Sequence, residues 1–227
     1  MIFWFDSFFI YFIIGATMLL SVIGLWFIAI LPGIDYWSKR FFRSLFIVFV
    51  LLSLIGFIDT ITDSYPVPIW IMYLMITLES VLLSVPLLMM TAYLLHCCGE
   101  NVFSHKLFYA VMSLWAVFVI LLAVSPFTKI FYYFTPDAKY YYRESWYPVL
   151  LVPMIIAMLL TVAGMVRWRK RLSRKAFMSF LITLLPITGV LIADMFIEIY
   201  PLIDISIVIS ALSMYSLILS DQVDRKS

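Results

Sequence analysis

Apolar residues in this chain fall in long unbroken stretches, and the polar residues between them come in short clusters. Stretches such as Leu181-Ile182-Thr183-Leu184-Leu185-Pro186-Ile187 do not alternate, whereas a membrane β-barrel alternates apolar and polar residues in short segments. A spanning helix needs about 20 predominantly apolar residues. On that measure the pattern predicts seven spans, at roughly 8–31, 42–62, 68–95, 107–127, 147–166, 177–199 and 202–220. The expected fold is an all-α membrane protein. Residues 1–220 form a seven-transmembrane helix bundle, and residues 221–227 begin a cytoplasmic connector helix.

Composition agrees with lipid as the main solvent. The chain is 65% hydrophobic and 12% charged, against about 25% charged in a soluble domain, and its mean hydropathy is +1.10. The cations are unevenly placed. With alternate loops assigned to one side, Lys39, Arg40, Arg43, Lys106, Arg167, Arg169, Lys170, Arg171, Arg174, Lys175, Arg225 and Lys226 gather together. Only Lys129, Lys139 and Arg143 fall opposite. Loops rich in Lys and Arg stay in the cytoplasm, so the N-terminus is expected outside and the C-terminus inside, in a multi-pass cell-membrane protein. The run Arg167–Lys175 should hold the inner ends of spans five and six at the anionic leaflet. The first residues lack a basic region ahead of the first span, so no cleaved signal peptide is expected. The net charge of +2 is a topology signal, without a nucleic-acid footprint.

The acidic residues are the candidate chemistry. Glu79 lies about eleven residues into span three, close to mid-membrane at about 1.5 Å rise per residue. Asp59 and Asp63 stand at the outer end of span two, Asp194 and Glu198 four apart on one face of span six, and Asp204 at the opening of span seven, where a helix N-terminus favours an anion. Ionisable groups in a membrane are costly and mark function by default. Glu79, Asp59, Asp194, Glu198 and Asp204 are therefore candidate ligand or proton sites. The bland reading is a protonated, hydrogen-bonded Glu79, with interfacial carboxylates that reach water. The inner half of the spans shows no matching polar residue. The outer loop from Thr128 to Tyr147 is densely aromatic; its tyrosines can be interface anchors, or Arg143 and Tyr140 can belong to a lid over the acidic spans.

Several classes drop out. Both histidines, His96 and His105, flank Cys97 and Cys98 at the inner surface, with ligand spacing poor for a metal; no metal site is expected. A retinal pigment needs a Lys in a late span, and spans six and seven have none. No nucleophile–base pair or phosphate loop appears, so the chain is not expected to be an enzyme and no cofactor is expected.

Span seven carries Ser206, Ser210 and Ser213 at helical spacing, small residues that permit close helix approach in lipid. Leu212, Ser216, Leu219 and Val223 continue as a weak heptad toward the exit. No Gly or Pro ends that helix, which predicts a connector toward a further domain. Pro86 and Pro186, within spans three and six, are candidate flexing points.

The second half of the chain resembles the N-terminal seven-helix sensor region of bacterial membrane histidine kinases and of similar GGDEF diguanylate cyclases. The residues that carry the resemblance are Tyr133-Phe134-Thr135-Pro136-Asp137-Ala138-Lys139-Tyr140, Arg171-Leu172-Ser173-Arg174-Lys175, Leu184-Leu185-Pro186-Ile187, Ala211 to Leu219 and Asp221-Gln222, within roughly 103–224; upstream, Tyr93 at the end of span three agrees. It implies a two-component-type input domain in which the last helix (Ser206, Ser210, Ser213, Leu219, Val223) passes a stimulus to a dimeric cytoplasmic output domain absent from this chain. The implied partners are the lipid bilayer, a second copy through the last helix, and a small ligand or peptide. A small-solute transporter and a non-catalytic structural membrane protein are the alternatives.

Overall fold

The computed structural model describes residues 2–30, 35–62, 67–135, 141–195 and 200–224. Among these residues stand seven long helices: α1 (Ile2–Ile30), α2 (Tyr36–Thr62), α3 (Ile69–Cys97), α4 (Lys106–Thr128), α5 (Tyr147–Arg167), α6 (Arg174–Asp194) and α7 (Tyr200–Asp224). A short 3-10 turn, Val102–Ser104, precedes α4, and strands β1 (Tyr132–Phe134) and β2 (Tyr141–Arg143) lie between α4 and α5. Six helices are long and apolar enough to cross a membrane; within α7 the apolar stretch is Val208–Asp221. A helix satisfies every backbone group within one segment, which is what hydrocarbon demands. The sixth predicted span reaches residue 199, whereas α6 is described to Asp194 and residues 196–199 fall outside the described part.

Local chemistry sets the helix ends. Asp35 caps α2 by accepting the Ser38 N–H at 2.9 Å. His105 caps α4 through its Nδ1, which accepts from Leu107 N at 3.1 Å. Ser173 caps α6 by accepting from Ala176 N at 3.0 Å. Such side chains replace partners that the first helical N–H groups lack. At the other ends Gly99 (φ 73) and Lys129 (φ 54) take up the left-handed conformation that closes α3 and α4. Both α3 and α6 continue through their internal prolines, Pro86 and Pro186.

The helices pack in chain order into a closed arrangement, with α7 against both α6 and α1, and α3 against α5. One core joins Phe42, Phe46, Tyr93, Phe180, Met214 and Ile218. A second joins α3, α4 and α5 to the aromatic hairpin. In that hairpin Tyr132 pairs with Arg143 and Phe134 with Tyr141. Outward faces remain apolar, with Phe12, Leu19, Trp26, Ile120 and Phe127 all exposed, as lipid contact requires. Inside, hydroxyls spend their protons on the preceding turn: Thr17 to Ile13 O, Ser53 to Phe49 O, Thr183 to Ser179 O.

Candidate functional site

Glu79 is buried at 2% exposure in the middle of α3. It faces α2 at Gly56: a Cβ at position 56 would stand 3.4 Å from Glu79 Oε1 and 3.8 Å from Ile14 of α1. The carboxyl is thus enclosed where three helices meet, and a glycine lets α2 approach it. Asp59 follows Gly56 by three residues, hence on the same face and about 4.5 Å further along the axis. It is half-buried, and Thr62 Oγ1 donates to its backbone carbonyl at 2.7 Å. Glu79 and Asp59 therefore belong to one region, the part of the α1–α2–α3 contact away from the cation-rich start of α2. The side chains of Asp194, Asp204 and Val223, and all of Glu198 and Tyr140, lie outside the described residues.

Arg143 is occupied by aromatics. Its guanidinium sits 4.2 Å over the Tyr147 ring and 5.9 Å from the Tyr141 ring. Tyr132, 1% exposed, packs on Tyr73 at 5.9 Å between ring centres, and Tyr73 Oη accepts from Phe134 N at 3.3 Å. Burial pushes the Tyr132 hydroxyl above its ordinary pKa, against a lowering contribution from Thr77. Tyr132 and Phe134 of the hairpin are thus part of the core and pack onto Tyr73 of α3.

On α7, Ser210 is buried and Ser206 and Ser213 half-buried. Thr183 Oγ1 of α6 reaches Ser210 O at 3.3 Å, and Lys175 Nζ donates to Ser220 Oγ at 2.8 Å. The serine face therefore includes the α6 contact, with Leu219 half-buried near its end.

Polar side chains also gather at the cation-rich end of the bundle. At the cation-rich end a cavity of about 250 Å³ opens among Asp35, Ser38, Tyr93, His96, Cys97, Arg171, Leu172, Ser173, Ala176, Ile218 and Asp221. The Ser38 and Tyr93 hydroxyls are 2.7 Å apart. His96 stacks on Trp37, with ring centres 4.1 Å apart. Arg171 forms an ion pair with Glu100. Burial pushes the Cys98 thiol up; Arg171 opposes that and Glu100 adds to it. Among the described residues no three His, Cys, Asp or Glu side chains converge as a metal site. Nothing in the sequence signals this cavity, because its walls come from positions 35, 93, 171 and 221, each of which looks like an ordinary loop or helix end. Arg171 stands out there as part of a topology mark and of a run that carries the resemblance, and neither points to a cavity.

A smaller apolar cavity, about 40 Å³, separates Pro86 and Met90 of α3 from Leu184, Ile187 and Leu191 of α6. The chain matches no protein family model, no curated protein and no solved structure.

Proposed function

We propose that this chain is the membrane-embedded input domain of a signal-transduction protein, with seven spans, the N-terminus outside and the C-terminus in the cytoplasm. A stimulus at the outer acidic region shifts α6 and α7, and α7 passes the shift to a kinase or GGDEF output domain. The observation that carries this reading is the attachment of α7. It is held to α6 by polar contacts at two depths, Thr183 to Ser210 O and Lys175 to Ser220, and it leans on α1 as well. A helix held this way can adopt a second register, and the void beside Ile187 leaves α6 room to move with it. The residue runs that resemble sensor regions of histidine kinases support the same class. A ligand shifts such a pair only by binding one arrangement better than the other.

The test uses the chain in native membranes with Leu219→Cys in a Cys97→Ser, Cys98→Ser background. Disulfide cross-linking between copies is followed on a drop in external pH, on added Mg²⁺ and on added oligolysine. At least one of these should change the cross-linking rate threefold or more, and Glu79→Gln together with Asp194→Asn should abolish the change with expression intact. Full response in that double variant overturns the site assignment; identical rates under all three stimuli overturn the signalling reading.

A transporter is the second reading, and one observation favours it: Glu79 at mid-membrane and a polar cavity at the basic end are the pieces an alternating pathway uses. Uptake of a solute into liposomes that Glu79→Gln stops would decide for it.

A further inference from the structure

A second groove at the cation-rich end, about 360 Å³, lies between α2, α3 and the 3-10 turn before α4. From α2 come Trp37, Arg40, Phe41 and Ser44, spaced as one helical stripe. Met89 and Ala92 of α3 stand across from them, and Phe103 of the turn completes the lining. The aromatic walls are fixed from behind: Trp37 stacks on His96 and Phe41 on Tyr93, each with ring centres 4.1 Å apart. Asn101 accepts from Phe103 N at 3.2 Å and shapes the turn that holds Phe103 outward at 74% exposure. Arg40 brings the lining's one formal charge, and it has no ion pair or hydrogen bond among the described residues. Ser44 differs in the same way from the hydroxyls deeper in the bundle. Ser53 donates to Phe49 O, whereas the Ser44 hydroxyl has no hydrogen-bond partner among the described residues.

We propose that this groove holds an anionic phospholipid, its phosphate on the Arg40 guanidinium and an acyl chain along Phe41, Ala92 and Met89. Depth orders the lining as such a molecule is ordered. Arg40 stands near the start of α2, Ser44 one turn deeper, and Met89 further from the end of α3 than Ala92. The phosphate therefore meets the cation at the membrane surface, the glycerol ester oxygens meet the Ser44 hydroxyl, and hydrocarbon meets thioether and ring. The exposure of Arg40 is exposure to the headgroup layer, where a guanidinium pairs with phosphate through two parallel N–H groups. Among the described residues no carboxylate lines the groove, so a zwitterionic lipid would bring its own cation beside Arg40 with no anion to receive it. A soluble phosphate would leave the apolar walls unfilled. Basic pockets between spanning helices bind anionic headgroups in this manner. The proposal requires the helices to lie in a bilayer and is independent of whether the chain signals or transports.

Native mass spectrometry of the full chain in detergent tests this, with titrations of phosphatidylglycerol, phosphatidylcholine and soluble glycerol phosphate. The first phosphatidylglycerol should bind about fivefold more tightly than phosphatidylcholine, the factor that one cation near an anionic headgroup contributes. Glycerol phosphate should not compete with it. Arg40→Gln should remove the preference between the two lipids. Lys39→Gln, the same charge loss just outside the lining, should keep it. Ala92→Phe narrows the groove and should weaken both lipids while the thermal unfolding midpoint stays near that of the parent. Equal affinity of the parent chain for the two lipids overturns the proposal. Equal losses in Arg40→Gln and Lys39→Gln overturn it too, since the effect would then be one of general surface charge. Competition by glycerol phosphate overturns the lipid and leaves a free phosphate site, and parental binding in Ala92→Phe overturns the acyl placement.

Discussion

The hydroxyls of Ser38 and Tyr93 lie 2.7 Å apart, 2% and 1% exposed, and tie the start of α2 to the end of α3. The link extends outward, because the Ser38 N–H is held by Asp35. The Tyr93 ring stacks face to face on Phe41, with centres 4.1 Å apart, so Tyr93→Phe removes the hydroxyl and keeps the packing. A buried hydrogen bond of this kind contributes about 1 kcal/mol. The variant should unfold about 2–4 °C lower in detergent, the shift that 1 kcal/mol produces in a chain of this size. An unchanged midpoint would mean the pair contributes nothing.

Two glycines on α1 should answer oppositely to alanine. A Cβ on Gly24 would stand 2.7 Å from the Phe46 ring, and Phe46 is fully buried. Forcing atoms into a packed core costs about 1–3 kcal/mol, more than the roughly 1 kcal/mol that alanine's helix propensity returns. A Cβ on Gly15 would enter open space, with nothing within 4 Å, so there only the propensity gain remains. Gly24→Ala should lower the unfolding midpoint and Gly15→Ala should raise it or leave it unchanged. A Gly24→Ala protein as stable as the parent contradicts the close α1–α2 packing.

Thr91 of α3 and Thr161 of α5 meet at 2.9 Å with neither exposed. Each hydroxyl also lies 2.9 Å from its own preceding-turn carbonyl, Leu87 O or Ala157 O. A Thr→Val variant at either position therefore leaves its partner an alternative acceptor. Hydroxyl pairs between membrane helices couple by about 0.6 kcal/mol on average. The cycle of Thr91→Val, Thr161→Val and the double variant should give a coupling near that size. Strict additivity of the two single losses would show that the helices are not joined through these oxygens.

The helices were legible because the signal is local: a run of about 20 apolar residues needs no partner to declare itself, and α2 to α5 begin and end within a few residues of the predicted spans except where caps extend them. Asp35 and Ser173 add turns that hydropathy does not see, since the added residues include Ser38, Lys39, Arg40, Arg174 and Lys175. Glu79 was legible by depth alone, and Gly56 was not, because a glycine's role depends on what stands opposite. The hairpin was missed for a similar reason. Tyr132 and Phe134 look like interface anchors, and only their packing against Tyr73 makes them core. The basic-end cavity is the extreme case, with walls contributed by residues more than a hundred positions apart.

Cys98 offers a pH test of that cavity's edge. The thiol is 8% exposed; burial raises its pKa first, Glu100 raises it further, and Arg171 lowers it. Below its pKa the thiolate fraction, and with it alkylation, rises about tenfold per pH unit. Removing the cation in Arg171→Gln leaves burial and Glu100 unopposed, so the pKa moves further up and the thiolate fraction at pH 8 falls. Removing the anion in Glu100→Gln does the reverse. Iodoacetamide labelling of Cys98 in a Cys97→Ser background, followed by mass spectrometry, should therefore slow in the first variant and quicken in the second. Both variants break the same ion pair, so a mere opening of the loop would quicken labelling in both. Opposite directions can come only from the charges, and acceleration in Arg171→Gln would show that the ion pair acts as a latch over Cys98 instead.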